Sequence, residues 1–198
     1  MARPRAFDEE EVLDAAIECF WRQGLETSSV RDLAAGMGIH GPSLYNAFGD
    51  KRALFARALE RYAETRMRER IRRLESHHPP KDAIAAFFQE LVASSLTDAD
   101  RRGCLVVNSA FEVAPYNEAL RPVIAAYLGE LEGFFRRCLE RAQGEGSIPW
   151  HIDPEDGARL FLGVLLGLRV AARSRPEPAL LEGMVRSALA LLDPPLPQ

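Results

Sequence analysis

The chain has 198 residues, of which 47% are hydrophobic and 27% charged, and a formal net charge of −4. This balance is typical of a globular protein and excludes a disordered chain. The longest uncharged apolar runs, such as residues 160–168, are far shorter than the roughly 20 residues that cross a membrane. Because the N-terminus shows no secretory signal pattern, we expect a cytoplasmic protein without a membrane partner. A net acidic chain can bind nucleic acid only through a local surface.

The three cysteines, Cys19, Cys104 and Cys138, are widely spaced and form no C-x-x-C pair. Neither a disulfide framework nor a zinc site is therefore expected. His77 and His78 could bind a metal ion, but adjacent histidines beside two prolines are more typical of a polar loop. We expect no cofactor and no metal site.

Helical periodicity, punctuated by proline and glycine, runs through the chain, and no segment alternates with a period of two. The pattern predicts an all-α fold of about nine helices. In the first helix, apolar residues from Val12 to Phe20 recur at helical spacing, and Gly24 ends it. Two short helices follow at about Ser29–Gly36 and Pro42–Phe48.

The fourth helix is expected from about Lys51 toward Glu75, with an arginine-rich end from Arg66 to Arg73. Interleaved glutamates favour an exposed, ion-paired surface there, and a second nucleic-acid patch is the alternative. We divide the chain into a head, residues 1–52, and a body, residues 53–198. The remaining helices are predicted at about residues 83–92, 103–114, 118–142, 155–173 and 178–192.

The two short helices and the glycine-containing turn Met37–Gly41 form a helix-turn-helix arrangement, in which the second helix enters the major groove of DNA. Leu44 and Phe48 can pack inward. The outward side chains then include Tyr45 and Asn46, and asparagine can pair with adenine while hydroxyl groups suit phosphates.

The segment 24–55 carries a specific motif. It reads GLE at 24–26, SVRDLA at 29–34, GI at 38–39, SLYNAFGDK at 43–51 and LF at 54–55. This resembles the tetracycline-repressor (TetR) family, whose pattern is a Thr/Ser-rich start of helix 2, an S-hydrophobic-Y-x-x-F recognition helix, then a lysine and a hydrophobic pair. The likeness covers about residues 7–55.

The resemblance implies an N-terminal three-helix DNA-binding domain and a C-terminal helical domain that binds a small-molecule effector and dimerises. The last two helices would form a homodimeric four-helix bundle, and the DNA partner would be a double-stranded operator. Tyr45 and Lys51 would contact phosphates. The DNA-binding residues implied are Ser28, Ser29, Arg31, His40, Gly41, Pro42, Ser43, Tyr45, Asn46 and Lys51.

The head departs from the family in its charge. Gly41 and Pro42 stand where relatives often carry Lys or Arg, and residues 1–52 hold more acidic than basic side chains. We therefore expect modest electrostatic affinity for DNA and a larger contribution from Arg3 and Arg5 of the N-terminal arm.

The middle helices carry aromatic and polar residues suited to an effector cavity, although most of them could equally be core. The candidate lining residues are Phe87, Phe88, Leu91, Cys104, Val107, Asn108, Phe111, Glu112, Tyr127 and Phe134. The candidate dimer-interface residues are Phe161, Val164, Gly167, Leu168, Leu181, Met184, Val185 and Ala188.

Cys104 opens a predicted helix in the sequence Gly103-Cys104-Leu105, next to Arg101 and Arg102. A helix N-terminus and nearby cations favour a reactive thiolate. Some TetR relatives with this G-C-L motif sense oxidants or electrophiles, so the resemblance suggests a redox switch. A small buried residue is the alternative.

These features predict a transcriptional repressor that a small molecule, for example an electrophile or oxidant, releases from a palindromic operator. The alternatives are an activator of the same fold and a helical interaction module without DNA binding. An enzyme is not expected, because no G-x-S-x-G, H-E-x-x-H, phosphate-loop or dinucleotide motif occurs.

Overall fold

The computed structural model describes residues 8–193, and this range is built from nine helices, as predicted. The head contains α1 (Glu9–Gln23), α2 (Val30–Gly36) and α3 (Gly41–Phe48). Asp8 caps α1 by accepting a hydrogen bond from the Glu10 N–H at 2.8 Å. This cap satisfies a backbone group that the start of a helix leaves without a partner.

The long helix α4 connects the head to the body. It runs as Lys51–Tyr62, continues through a π-helical stretch, Ala63–Arg68, and ends as Glu69–His77. Its first part packs against α1, where the Phe55 ring meets the Phe20 ring edge-on at 5.0 Å. The head and body, predicted to divide at residue 52, are thus joined by one helix and share one continuous core.

The body contains five helices around a phenylalanine cluster. They are α5 (Pro80–Thr97), α6 (Leu105–Glu112), α7 (Arg121–Gly144), α8 (Pro154–Ser174) and α9 (Pro178–Leu189), and a 3₁₀ turn, Ala190–Leu192, follows α9. The rings at the centre of the cluster pack with centroids 5.2–5.7 Å apart. They are Phe87, Phe88, Phe134, Phe135 and Phe161.

The helix boundaries differ from the predicted ones where backbone chemistry overrides the apolar pattern. α5 begins earlier than predicted, because Pro80 suits the first turn of a helix. α6 begins later, at Leu105, because Gly103 has a φ of 74°. Within residues 8–193, no helix is long and apolar enough to span a bilayer.

Candidate nucleic-acid interface and internal cavity

The outer face of α3 presents the side chains that were expected to meet DNA. Leu44 is fully buried and Phe48 is 6% exposed, which anchors the inner face. Tyr45 is 51% exposed and its neighbour Asn46 is exposed as well. His40 precedes the helix in an extended conformation and makes no side-chain capping bond, so its ring is available at the surface.

The start of α2 is held by its N-cap. Ser29 accepts a hydrogen bond from the Asp32 N–H at 3.1 Å, and its hydroxyl donates to the Asp32 carboxylate at 2.6 Å. Ser28 is 2% exposed, and its hydroxyl donates to the Leu25 carbonyl at 3.1 Å. The Ser28 side chain is therefore committed to the turn between α1 and α2, whereas Arg31 is exposed.

Lys51 has a structural role that the sequence pattern did not reveal. Its ammonium group donates to the Glu26 carbonyl at 3.2 Å and to the Ser28 carbonyl at 3.1 Å. The side chain thereby ties the first turn of α4 to the segment that leads into α2. An ammonium has three donors, so one remains for a further partner such as a phosphate.

Several acidic residues of α1 are paired with arginines that lie beyond residue 52. Arg61 makes a two-pronged contact with the Asp14 carboxylate, with both distances 2.7 Å, and this hydrogen bond lowers the pKa of Asp14. Arg57 pairs with Glu9. The excess of acidic residues in the head therefore overstates the negative charge near DNA, because part of that charge is paired along α4. Arg3 and Arg5 lie outside the described residues.

An internal cavity of about 300 Å³ lies where the head meets the body. Trp21 of α1 lines it, and so does Tyr62, which lies in α4 just before the π-helical stretch, where the backbone departs from regular α geometry. Such stretches are frequent at functional sites. The other lining residues are Arg66, Met67, Arg70, Phe87, Leu91, Ser94, Thr97, Asp98, Arg102, Gly103, Cys104, Leu131, Leu165 and Arg169.

Three of the predicted lining residues, Phe87, Leu91 and Cys104, do line this cavity. Phe88 and Phe134 are fully buried in the phenylalanine cluster instead. The remaining predicted residues lie elsewhere, for reasons that follow from their contacts.

Asn108 and Glu112 border a separate cavity of about 140 Å³ beside Gly24. Asn108 accepts a hydrogen bond from the Arg173 guanidinium at 3.1 Å, and Glu112 lies 3.6 Å from the same group. The Tyr127 hydroxyl donates to the Glu60 carboxylate, which together with burial raises the pKa of Tyr127.

Val107 is 2% exposed and does not border the main cavity, whereas Phe111 is 57% exposed. Sequence spacing placed both of them on a helix that approaches the cavity. It could not show that the cavity is lined by the N-cap residue Cys104 and the loop before it rather than by α6 itself.

Cys104 occupies the N-cap position of α6 and lines the cavity. The Tyr62 hydroxyl interacts with its thiol and with the Leu105 N–H, and burial raises the pKa of Tyr62. The loop is held by the Asp98 carboxylate, which accepts from the Gly103 N–H at 3.0 Å. The Cys104 thiol thus lies in a loop that is held by a hydrogen bond, next to the Tyr62 hydroxyl.

The two arginines that precede Cys104 in the sequence have other surroundings or partners. Arg101 is exposed, and Arg102 lies over the Trp21 ring at 4.6 Å and pairs with Glu18 at 2.7 Å. Arg70 of α4 lines the same cavity as Cys104. Sequence proximity could not identify this neighbour, because tertiary packing brings α4 to the cavity.

The other cysteines have surroundings that suppress ionisation. Burial raises the pKa of Cys19 and raises that of Cys138 to about 12. Among the described residues, no group of three or more His, Cys, Asp and Glu side chains could hold a metal ion. His77 ends α4 and its ring contacts Ser76 and the Arg73 carbonyl.

The arginine-rich end of α4 is largely ion-paired, as the interleaved glutamates indicated. Arg68 contacts Glu130 through two bonds of 2.7 Å, and Arg72 contacts Glu64 at 2.8 Å. Arg66 and Arg70 of the same run also line the cavity. The run is therefore divided between an exposed ionic surface and a cavity wall.

The residues expected at a dimer interface divide into two groups. Val164, Gly167 and Met184 are partly exposed on α8 and α9. A Cβ at Gly167 would lie 3.3 Å from the Met184 methyl group, so this glycine lets α8 and α9 approach within one protomer. The buried ones, which belong to the core of the protomer, are Phe161, Leu168, Leu181, Val185 and Ala188.

The helix-turn-helix geometry agrees with the family models that match the chain. Residues 12–58 match the model of bacterial regulatory proteins of the tetR family, and residues 80–188 match the tetracyclin repressor-like C-terminal domain. The chain belongs to the TetR family. It is thus a DNA-binding transcription regulator and not an enzyme.

Relatives cover the full length of this TetR-family regulator. The uncharacterized HTH-type transcriptional regulator YezE of Bacillus subtilis is 34% identical to this chain, and the alignment covers 98% of this chain and 100% of YezE. The HTH-type transcriptional repressor ComR of Escherichia coli is 27% identical to this chain, and the alignment covers 94% of this chain and 88% of ComR.

A solved structure of the same family is also similar. A cysteine mutant of the TetR-family regulator CifR, solved with 26-base-pair double-strand operator DNA, has a TM-score of 0.85 and 36% identity, covering 96% of this chain and all of that one. The reduced form of Escherichia coli NemR has a TM-score of 0.84 at 22% identity, covering 94% and 97%, which shows the shared fold.

Proposed function

We propose that this regulator is a homodimeric repressor that binds a palindromic operator through α3 of each protomer and releases it when the cavity is occupied. The observation that carries this proposal is the path of α4. Lys51 at its start holds the turn before α2, and Tyr62 and Arg70 further along line the cavity. A ligand that favours another position of α4 would therefore change the placement of the recognition helices.

The DNA contacts are proposed on the exposed side of the helix-turn-helix. Tyr45 supplies a hydroxyl for phosphate and Asn46 an amide for base edges. Arg31, Ser43 and His40 flank them. Ser29, Gly41 and Pro42 bring backbone close to DNA, Lys51 offers its remaining donor, and Ser28 acts through the fold of its turn.

The dimer is proposed to form through the outer face of α8, together with Met184 of α9. Leu160 and Val170 are 47% and 52% exposed, and Gly163, Val164 and Gly167 lie between them at helical spacing. Nothing lies within 4 Å of a Cβ built at Gly163, so a second helix can approach there. The apolar stripe would be covered by the same stripe of a second copy, as a two-fold interface requires.

The effector releases the DNA by shifting the equilibrium between two conformations of the body. The free energy of this shift equals the difference between the binding free energies of the effector for the two conformations. Cys104 is proposed as a covalent trigger for an electrophile. Addition across an electron-poor double bond forms a bond from Sγ to carbon, and the thiol proton ends on the adjacent carbon. An oxidant acting on the same thiol is the alternative. The repressor name of ComR and the operator complex of CifR support the repressor assignment.

The test is a mobility shift with DNA that flanks the gene of this protein, together with a reporter for the direction of control. Asn46→Ala is expected to lose about ten- to a hundredfold in operator affinity, since a bidentate base contact contributes about 1–3 kcal/mol. Glu118→Ala, an exposed change far from α3, serves as the control. A folded dimer that binds no DNA specifically at low salt would contradict the proposal, and loss of expression on deletion would indicate an activator.

The cysteine is tested on the same DNA. N-ethylmaleimide is expected to release the wild-type protein and the Cys138→Ser variant but not Cys104→Ser. Equal release of the Cys104→Ser variant would exclude Cys104 as the trigger.

A further inference from the structure

The lining of the internal cavity combines two kinds of side chain. Its apolar part includes Phe87, Leu91, Leu131 and Leu165, each of them no more than 4% exposed. Its charged part contains four arginines and a single carboxylate, that of Asp98. The cavity therefore has an excess of positive charge together with a hydrocarbon surface.

Two of the arginines, Arg70 and Arg169, lack a full complement of anions. Arg70 lies 3.4 Å from Glu90, but the same Glu90 oxygen accepts from Arg73 at 2.7 Å, so one carboxylate serves two guanidinium groups. Within the described part of the chain, the hydrogen bond found for Arg169 goes to the Ser95 hydroxyl, at 3.4 Å.

The charge of Arg169 also acts on Arg70. Burial, followed by the charge of Arg169, lowers the pKa of Arg70. Like charges that approach in a partly buried place destabilise each other unless an anion lies between them. Of the other two cavity arginines, Arg102 is better compensated, because it pairs with Glu18 at 2.7 Å.

We propose that the cavity binds a small organic carboxylate, with its anionic group between Arg70 and Arg169 and its apolar tail against Phe87, Leu91, Leu131 and Leu165. Guanidinium groups bind carboxylates through paired, charge-assisted hydrogen bonds. Trp21 also lines the cavity. A volume of about 300 Å³ limits the tail to a short chain or one ring.

This inference rests on the proposed function in one respect, that the cavity is the effector site. It names the chemical class of the effector, and it does not require Cys104 to react. An acid that also carries an electron-poor double bond would place that bond near Cys104, which lines the same cavity.

The experiment uses Trp21 as the reporter. The chain has two tryptophans, and Trp150 is 76% exposed outside the cavity, so a Trp150→Phe background leaves the cavity indole as the remaining signal. The probes are the straight-chain acids from butyrate to decanoate, each compared with its uncharged primary amide. We expect saturable quenching by at least one acid, and affinity about tenfold or more above that of the matched amide, because a charged hydrogen bond contributes about 1.5–3 kcal/mol.

Variants assign the site. Arg169→Gln is expected to reduce acid affinity about tenfold or more, whereas Arg169→Lys retains the charge and most of the affinity. Arg136→Gln, at an exposed arginine of α7 outside the cavity, is the control. Circular dichroism checks that each variant is folded, and Arg70→Gln provides a second, independent removal of positive charge.

Three outcomes would overturn the inference. They are no saturable binding by any acid up to about 10 mM, amides that bind as tightly as the acids, and unchanged acid affinity in folded Arg169→Gln and Arg70→Gln. Since the assay contains no DNA, these results are separable from the operator experiment. A protein that binds its operator but no acid would leave the repressor proposal intact, and the reverse result would leave this one intact.

Discussion

The side chains that α3 offers to DNA stand on one helix of eight residues, whereas those of the cavity come from five helices and a loop. In α3, Leu44 is buried and Tyr45, one position further, is half exposed. In the cavity, Tyr62 and Cys104 meet across 42 positions of sequence. A surface carried by one helix depends on local periodicity, and a cavity depends on how helices pack.

The helix packing that forms the cavity should be sensitive to the loss of the ring at the centre of the phenylalanine cluster. Phe135 is fully buried and meets four other phenylalanine rings. Phe135→Ala is expected to lower the free energy of unfolding by about 3–5 kcal/mol, the cost of removing a buried ring and leaving a void. Urea unfolding measures this, and Phe111→Ala, at an exposed ring, should change it by less than about 0.5 kcal/mol. Equal losses in both variants would contradict the packing described.

Lys51 tests whether the head depends only on local structure. Lys51→Ala removes two hydrogen bonds to backbone carbonyls and should lower operator affinity about tenfold. Each such hydrogen bond contributes about 0.5–1.5 kcal/mol, or somewhat more when the donor is charged. If the role is positioning, the slope of log affinity against log salt stays unchanged. A slope that falls by about 1 would show a direct phosphate contact instead. Lys81→Ala, which pairs with Asp193 far from α3, is the matched control.

The N-cap of α2 is a local device, so its effect should be moderate. Ser29→Ala removes the acceptor for the Asp32 N–H and should cost about 1 kcal/mol in the free energy of unfolding. Ser29→Asp restores an acceptor and should recover most of that stability. Failure of the aspartate variant to recover it would show that the hydroxyl acts in another way. Thermal unfolding of the three proteins makes the comparison.

The smallest effect concerns the ion pairs between α1 and α4. Because Arg61 lowers the pKa of Asp14 in the folded protein, this carboxylate adds stability above its unfolded pKa. The contribution is lost as pH falls through the folded pKa. Asp14→Asn should therefore reduce stability near neutral pH and leave it almost unchanged below about pH 3. Chemical denaturation at both values measures this, and a loss that is equal at both would contradict the pairing.

Particular residues show how far prediction from sequence reached. The motif from Ser29 to Lys51 predicted the helix-turn-helix and the family, and the apolar spacing predicted nine helices. The same spacing placed Phe88 and Phe134 at the cavity, although both belong to the phenylalanine cluster. An apolar side chain on a helix carries no sign of whether it faces another helix or an empty space.

The sequence by itself determined the helices, their caps and the outward side chains of α3, because each depends on residues within about one helical turn of each other. Only the tertiary structure decided that Arg61 neutralises Asp14, that Lys51 holds the turn before α2 and that Arg70 and Arg169 line one cavity. These pairs of residues lie 23 to 99 positions apart, so no local pattern encodes them. The charge balance of the head and the chemistry of the cavity therefore became visible only in the packed molecule.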